Sequence, residues 1–158
     1  MQSNLADVAA QLEAGLMASL RRIANGDLLN AVAAECAKRG KELLAEEFES
    51  KTAPSGAPWL PQKHDYGNPL LDRTGELKGS GRVMVIGPNG FAAGFQLTFF
   101  FSDEKAPWQH YGTKRNGKPH IPARPLVPAE GDEERWRADL ESTMQTTLDG
   151  WLAANVHV

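Results

Sequence analysis

Four histidines and a lone cysteine are the side chains of this sequence best suited to bind a metal or move a proton, and their spacing supplies neither kind of site. His64, His110, His120 and His157 stand in no HxxH, HExxH or paired-carboxylate context, which a zinc site or an acid–base pair would need. Cys36 falls among Leu28, Leu29, Val32, Leu43, Leu44 and Phe48 at helical spacing, so it reads as a small core residue rather than a nucleophile. A phosphate-cradling GxxxxGK[ST] loop is missing, and the spaced glycines of GPNGFAAG sit inside a hairpin signal rather than between strand and helix. No serine occupies a GxSxG elbow, and Ser80 in GSG reads as a turn residue. The sequence therefore predicts no catalytic residue, no metal and no cofactor.

What remains is chemistry of contact. Lys105, Lys114, Arg115, Lys118 and Arg124 give 105–124 a charge of +5 with no acid, whereas 130–141 carries a net −4. Two solvated surfaces would account for this, and so would two patches that meet across a subunit boundary, where complementary fields fix register. Lys114, Arg115 and Lys118, with Trp108, His110 and Tyr111 available for stacking, could also grip phosphates. A solvated turn around Asn116-Gly117 is the simpler reading of the same loop.

These residues belong to the stretch around which the chain is organised, HYGTKRNGKPHIPARPLVP. Pro122, Pro125 and Pro128 fix φ, remove donors and push their predecessors toward extended backbone. Residues 121–128 should therefore form a stiff extended arm, with Ile121, Leu126 and Val127 to bury. Arg124, held between Pro122 and Pro125, offers a planar donor fork to a neighbouring subunit's carboxylate or to its own framework.

The elements that must hold the arm follow from periodicity. Leu5, Val8, Leu12, Leu16, Leu20 and Ile23 mark a helix over 4–24 with Ser3 or Asn4 as its cap, and Asn25-Gly26-Asp27 marks its stop and a new cap. A second helix over 28–50 completes an expected antiparallel pair. Residues 51–81 read as an ordered irregular loop anchored by Trp59, Leu60, Leu70 and Leu71, with one helical turn over 71–77. The span 82–87 and the alternating 91–101 flank Asn89-Gly90 and read as a hairpin whose odd face, Phe91 to Phe101, is buried. A short turn at 107–111 precedes Gly112. The last helix, 132–154, carries Trp136, Leu140, Met144, Leu148 and Trp151.

The expected class is α+β, with a helical hairpin and a C-terminal helix on one face of an antiparallel sheet centred on 82–101. At 158 residues with net charge −3, the chain reads as one domain, divided into 1–50, 51–81, 82–128 and 129–158, large enough for its own core. One cysteine excludes an internal disulfide and fits a reducing compartment. Neither a basic leader nor a run of ~18–20 apolar residues is present, so the cytoplasm is the expected place of synthesis, without a membrane partner.

The order of several segments carries a resemblance. SGAPWLP at 55–61, LDRTGEL at 71–77 with Ser80, a Val/Ile hairpin, QHYG at 109–112 and IPARP at 121–125 together resemble the phage virion morphogenesis family of tail completion proteins. Leu126 departs from the phenylalanine usual after IPARP, and Phe99-Phe100-Phe101 is unusual after the hairpin. The resemblance implies a non-enzymatic virion component in the neck or at the head-proximal end of the tail. There it would form a ring, of six copies by the symmetry of such tails, that completes the tail and supports head joining. Other neck, connector or tail tube and sheath proteins would be its partners, and DNA would pass its lumen. It further implies that Trp59, Leu71, Thr74, Gly75 and Leu77 are framework. His110, Tyr111, Gly112, Ile121, Pro122, Arg124 and Pro125 would build the arm. The rival reading from the residues alone is a small cytosolic nucleic-acid-binding module using 105–124.

Overall fold

The computed structural model of the chain describes residues 5–61, 71, 75–87, 94–129, 131 and 133–156. In chain order these form α1 (Leu5–Ala24), α2 (Asp27–Ser50), α3 (Glu76–Gly79), β1 (Gly81–Ile86), β2 (Gln96–Phe101), α4 (Ala106–Tyr111), β3 (Thr113–Arg115), β4 (Lys118–Ile121) and α5 (Glu134–Asn155). The mixture is α+β, as the periodicities require. Ser3, Asn4, His64, Leu70, Thr74, Asn89-Gly90, Phe91 and His157 lie outside the described residues.

α2 is the spine. Its apolar positions recur every three to four residues, and Val32, Cys36, Leu43, Leu44 and Phe48 are all buried. α5 runs antiparallel along it, with Trp136 beside Glu47 and Leu140 beside Cys36. β1 and β2 pair antiparallel, Gly81 opposite Phe101 and Ile86 opposite Gln96. Their inward positions, Val83, Leu97, Phe99 and Phe101, are half-buried, while Arg82, Met84, Ile86 and Phe100 are exposed. Gly40 permits this packing, because a Cβ there would lie 2.7 Å from the Phe99 ring.

The core divides into two clusters under the inward face of this sheet, with Phe101 packed against both. Phe48, Ala53, Trp59, Leu77, Ala106 and Leu126 form one cluster, with Leu71 and Phe101 packed against it. Leu43, Leu44 and Trp136 form the other, with Val83, Phe99, Val127 and Leu140. Ring edges join each cluster: Phe48 meets Trp59 at 5.4 Å and Phe99 meets Trp136 at 4.9 Å between centroids, both edge to face.

The structure corrects several expectations in physical detail. α1 does not join the helical layer on the sheet. Of residues 10–24 only Ser19 is buried, and Leu12, Leu16, Met17 and Leu20 are each nearly half exposed. α1 is tied down at its C-terminal end, where Ser19 Oγ donates to Asn155 O and Arg22 bonds Asn155 Oδ1. Asp27 is not the cap of α2. Gly26, in the left-handed region at φ 86°, takes that position, and Asp27 instead pairs with Arg22 at 3.2 Å. Leu60, expected as a loop anchor, is 57% exposed, so Trp59 alone of that pair enters the core. The helical turn near 71–77 falls at Glu76–Gly79, after Gly75 at φ 71°.

The basic loop is itself structured. β3 and β4 form a second, separate two-stranded sheet, turned by Asn116 at φ 53° and Gly117 at φ 76°. Two consecutive positive φ angles are the signature of the tight hairpin turn that Asn-Gly favours. The Asn-Gly dipeptide signals this hairpin in the sequence, but its three- and four-residue strands are too short for periodicity to mark.

Candidate functional site

The proline-rich arm does not project. Arg124 is 4% and Leu126 1% exposed, and the arm is stitched to two segments far away in sequence. On one side Trp59 Nε1 donates to Pro125 O at 3.0 Å, and Arg124 donates from Nε to Leu60 O at 2.9 Å and from a terminal nitrogen to Pro61 O at 3.3 Å. On the other side lies the last turn of α4. Arg124 N–H donates to Gln109 O at 2.7 Å, its guanidinium to Gln109 Oε1 at 3.1 Å, and Leu126 N–H to His110 Nδ1 at 3.0 Å. Three prolines remove donors from the arm, so the N–H groups of Arg124 and Leu126 are bonded by α4. Gly112 has no room for a side chain, since a Cβ would lie 2.7 Å from Ile121 O and 2.8 Å from Ala123 N.

Of the two partners open to Arg124, its own framework is the one found. Burial pulls its pKa down, while the three acceptors offset the desolvation of a charge that arginine does not give up. Lysine presents three donors on one atom and cannot span Leu60, Pro61 and Gln109 together. Arg124→Lys should therefore lower stability by about 2 kcal/mol, read as a fall in the urea midpoint; an unchanged midpoint would show that these bonds add nothing. His110 belongs to the same joint. Burial lowers its pKa, and its ring packs edge to face on Tyr111 at 4.5 Å.

The expected contact residues thus separate into two groups. Trp59, Leu77 and Arg124 are buried in the joint with Pro125, Pro122, Ile121 and Leu71 half-buried around it. Trp108, Tyr111, Lys114, Arg115 and Lys118 are exposed, Tyr111 to 77%. No ion pair occupies Lys114, Arg115 or Lys118 among the described residues, so their charge faces solvent. The acidic stretch is partly spent within the chain. Asp139 binds Arg39 through both oxygens at 2.6 and 2.7 Å, and Glu133 pairs with Arg137 at 2.7 Å. The Arg39 hydrogen bonds hold the Asp139 carboxyl below its usual range.

Comparison with protein-family models, with curated proteins and with solved structures gives no match to this chain.

Two further features were not legible in residue spacing. Glu47, on the inner face of α2, is 1% exposed, and its Oε1 accepts Trp136 Nε1–H at 2.7 Å with Arg135 3.7 Å away. Its Oε2 has no hydrogen-bond partner. Burial pushes its pKa up to about 8, against the opposing Trp136 bond and Arg135 charge, so the carboxyl is mostly protonated at neutral pH. The second feature is an open apolar groove of about 770 Å³ between β2 and α5, walled by Phe95, Leu97, Phe99, Val127, Leu140 and Met144. Among the described residues no α1 side chain lines it. Among the described residues no three His, Cys, Asp or Glu side chains gather to hold a metal, and no helix is long and apolar enough to cross a membrane.

Proposed function

We propose that the chain is a structural virion protein of a tailed bacteriophage. In this reading it acts by contact rather than catalysis, as a ring at the neck or head-proximal tail end that completes the tail and supports head–tail joining. The observation that carries the reading is convergence. The segments whose order resembles the tail completion family, around Trp59, Leu77, Gln109-His110 and Arg124-Pro125, are up to 66 residues apart, yet meet in a single hydrogen-bonded and apolar joint. A motif order that maps onto one physical joint has a reason to be kept as a set. Six copies would close the ring, with neck, connector or tail tube and sheath proteins on its two faces. The exposed Lys114, Arg115 and Lys118 suit non-specific contact with DNA in the lumen.

The same exposed cations, flanked by Trp108 and Tyr111, favour a second reading as a small nucleic-acid-binding module. Particles made from the genome that encodes the chain distinguish the two. The expected result is six copies per virion by quantitative peptide mass spectrometry, with ring density at the head-proximal end of the tail. Absence of the chain from purified virions, together with salt-sensitive binding of single-stranded DNA by the isolated protein, would overturn the proposal in favour of the module.

A further inference from the structure

Two apolar surfaces of the described residues lack a cover. One is convex: Leu12, Leu16 and Leu20 follow one another at four-residue intervals along α1, with Met17 beside them, each 46–49% exposed. Side chains at that spacing form a ridge on one side of a helix. The other is concave, the groove between β2 and α5. We propose that each is the other's partner between copies, the α1 ridge of one copy lying in the β2–α5 groove of the next.

Charge selects this pairing. Arg21 adjoins Leu20 and lies one turn beyond Met17, and it has no ion-pair partner among the described residues. The groove rim carries Glu133, Arg137 and Glu141. Glu133 and Arg137 are already paired at 2.7 Å, which leaves Glu141 as the rim's uncompensated charge. Arg21 of the docked helix meets Glu141 beside Leu140 and Met144. The contact joins two different surfaces, so it can repeat head-to-tail, and in the proposed ring the rotation between neighbours closes the series. Four half-exposed side chains fall short of the ~800 Å² per partner typical of stable pairs. An isolated pair is therefore weak, and closure, which uses both surfaces of every copy, supplies the stability. The inference names the contact of the proposed ring and rests on that reading for its closure.

Directed disulfide formation in the full chain tests it, in a Cys36→Ala background so that the native thiol is silent. A tagged Leu16→Cys protein is mixed with an untagged Met144→Cys protein and oxidised, and both positions are exposed. The expected product is a tagged–untagged dimer, in a yield about tenfold above that with Thr146→Cys, which points away from the groove. Arg21→Glu in the first protein should lower that yield about tenfold, and Glu141→Arg in the second should restore it. Equal yields from Met144→Cys and Thr146→Cys would overturn the contact. A disulfide found only within a chain carrying both cysteines would do so too, since the groove's occupant would then be its own α1. If cross-linking fails while virions show a ring, this contact alone is lost. If it succeeds for a chain absent from virions, the phage reading alone is lost.

Discussion

Trp136→Ala is expected to lower stability by about 4–5 kcal/mol, because Trp136 is the largest fully buried side chain among the described residues. Trp136 is 1% exposed, packs edge to face on Phe99 and fills the space between α2, α5 and the sheet. Truncating a buried tryptophan removes its transfer free energy and leaves a cavity, together about 3–5 kcal/mol. The indole N–H is also the hydrogen-bond donor to Glu47, so the variant leaves a buried carboxyl with neither oxygen bonded by it, which places the effect at the upper end. Trp136→Phe separates the two contributions, because it keeps a ring and loses only the donor; about 1–3 kcal/mol is expected. Urea denaturation followed by circular dichroism reads both. A loss below about 2 kcal/mol in the alanine variant would mean that the indole is not the keystone of the second cluster.

The second large effect is a pH dependence carried by Glu47. Its folded pKa, about 8, lies above the model-peptide value of 4.5, so between these values the unfolded chain releases a proton that the folded chain keeps. Stability then falls as pH rises through that window and levels off above it, since the folded state binds more protons. The full excursion is on the order of 5 kcal/mol. Glu47→Gln retains an oxygen to accept the Trp136 N–H and removes the titration. The variant should match the wild type near pH 4.5 and exceed it by roughly 3–4 kcal/mol near pH 8. Asp139 and Glu133, whose pKa values are lowered, contribute the opposite slope at more acidic pH in both proteins and cancel in the difference. Two denaturation curves that run parallel from pH 4.5 to 8 would overturn the assignment.

The helices were legible because long amphipathic runs repeat their signal: α2 and α5 begin and end within two residues of the positions that periodicity gives. The course of α1 was legible, but not its exposure, because an apolar stripe says that a face wants cover and not what covers it. Gly26 replaced Asp27 at the cap because a left-handed turn sets the chain's direction before any side chain can accept a bond. The arm was legible as extended from its prolines. That it lies buried was not, because the carbonyls that receive Arg124 come from Leu60 and Pro61, and backbone acceptors leave no trace in residue type. Glu47 was hidden for a related reason: a carboxylate next to Glu46 and five residues after Glu42 looks like part of a solvated helix surface until the indole of Trp136 is seen opposite.

The joint between Trp59 and the arm also dictates an order of events while the chain is being made. The acceptor for the Trp59 indole lies 66 residues downstream, and the guanidinium that binds Leu60 O lies 64 downstream. A polypeptide leaves the ribosome N-terminus first, at about 5–20 residues per second. α2 and the first half of the joint therefore wait several seconds in the tunnel's shadow for residues 124–126 to emerge. Phe48, Ala53 and Trp59 cannot bury against Leu126 during that interval, so nascent chains halted before the arm present an open apolar cluster to chaperones. Chains halted far enough beyond Val127 for the arm to have left the ribosome can close it. Completion of this core is thus timed by translation, and the arm is the segment that ends the wait.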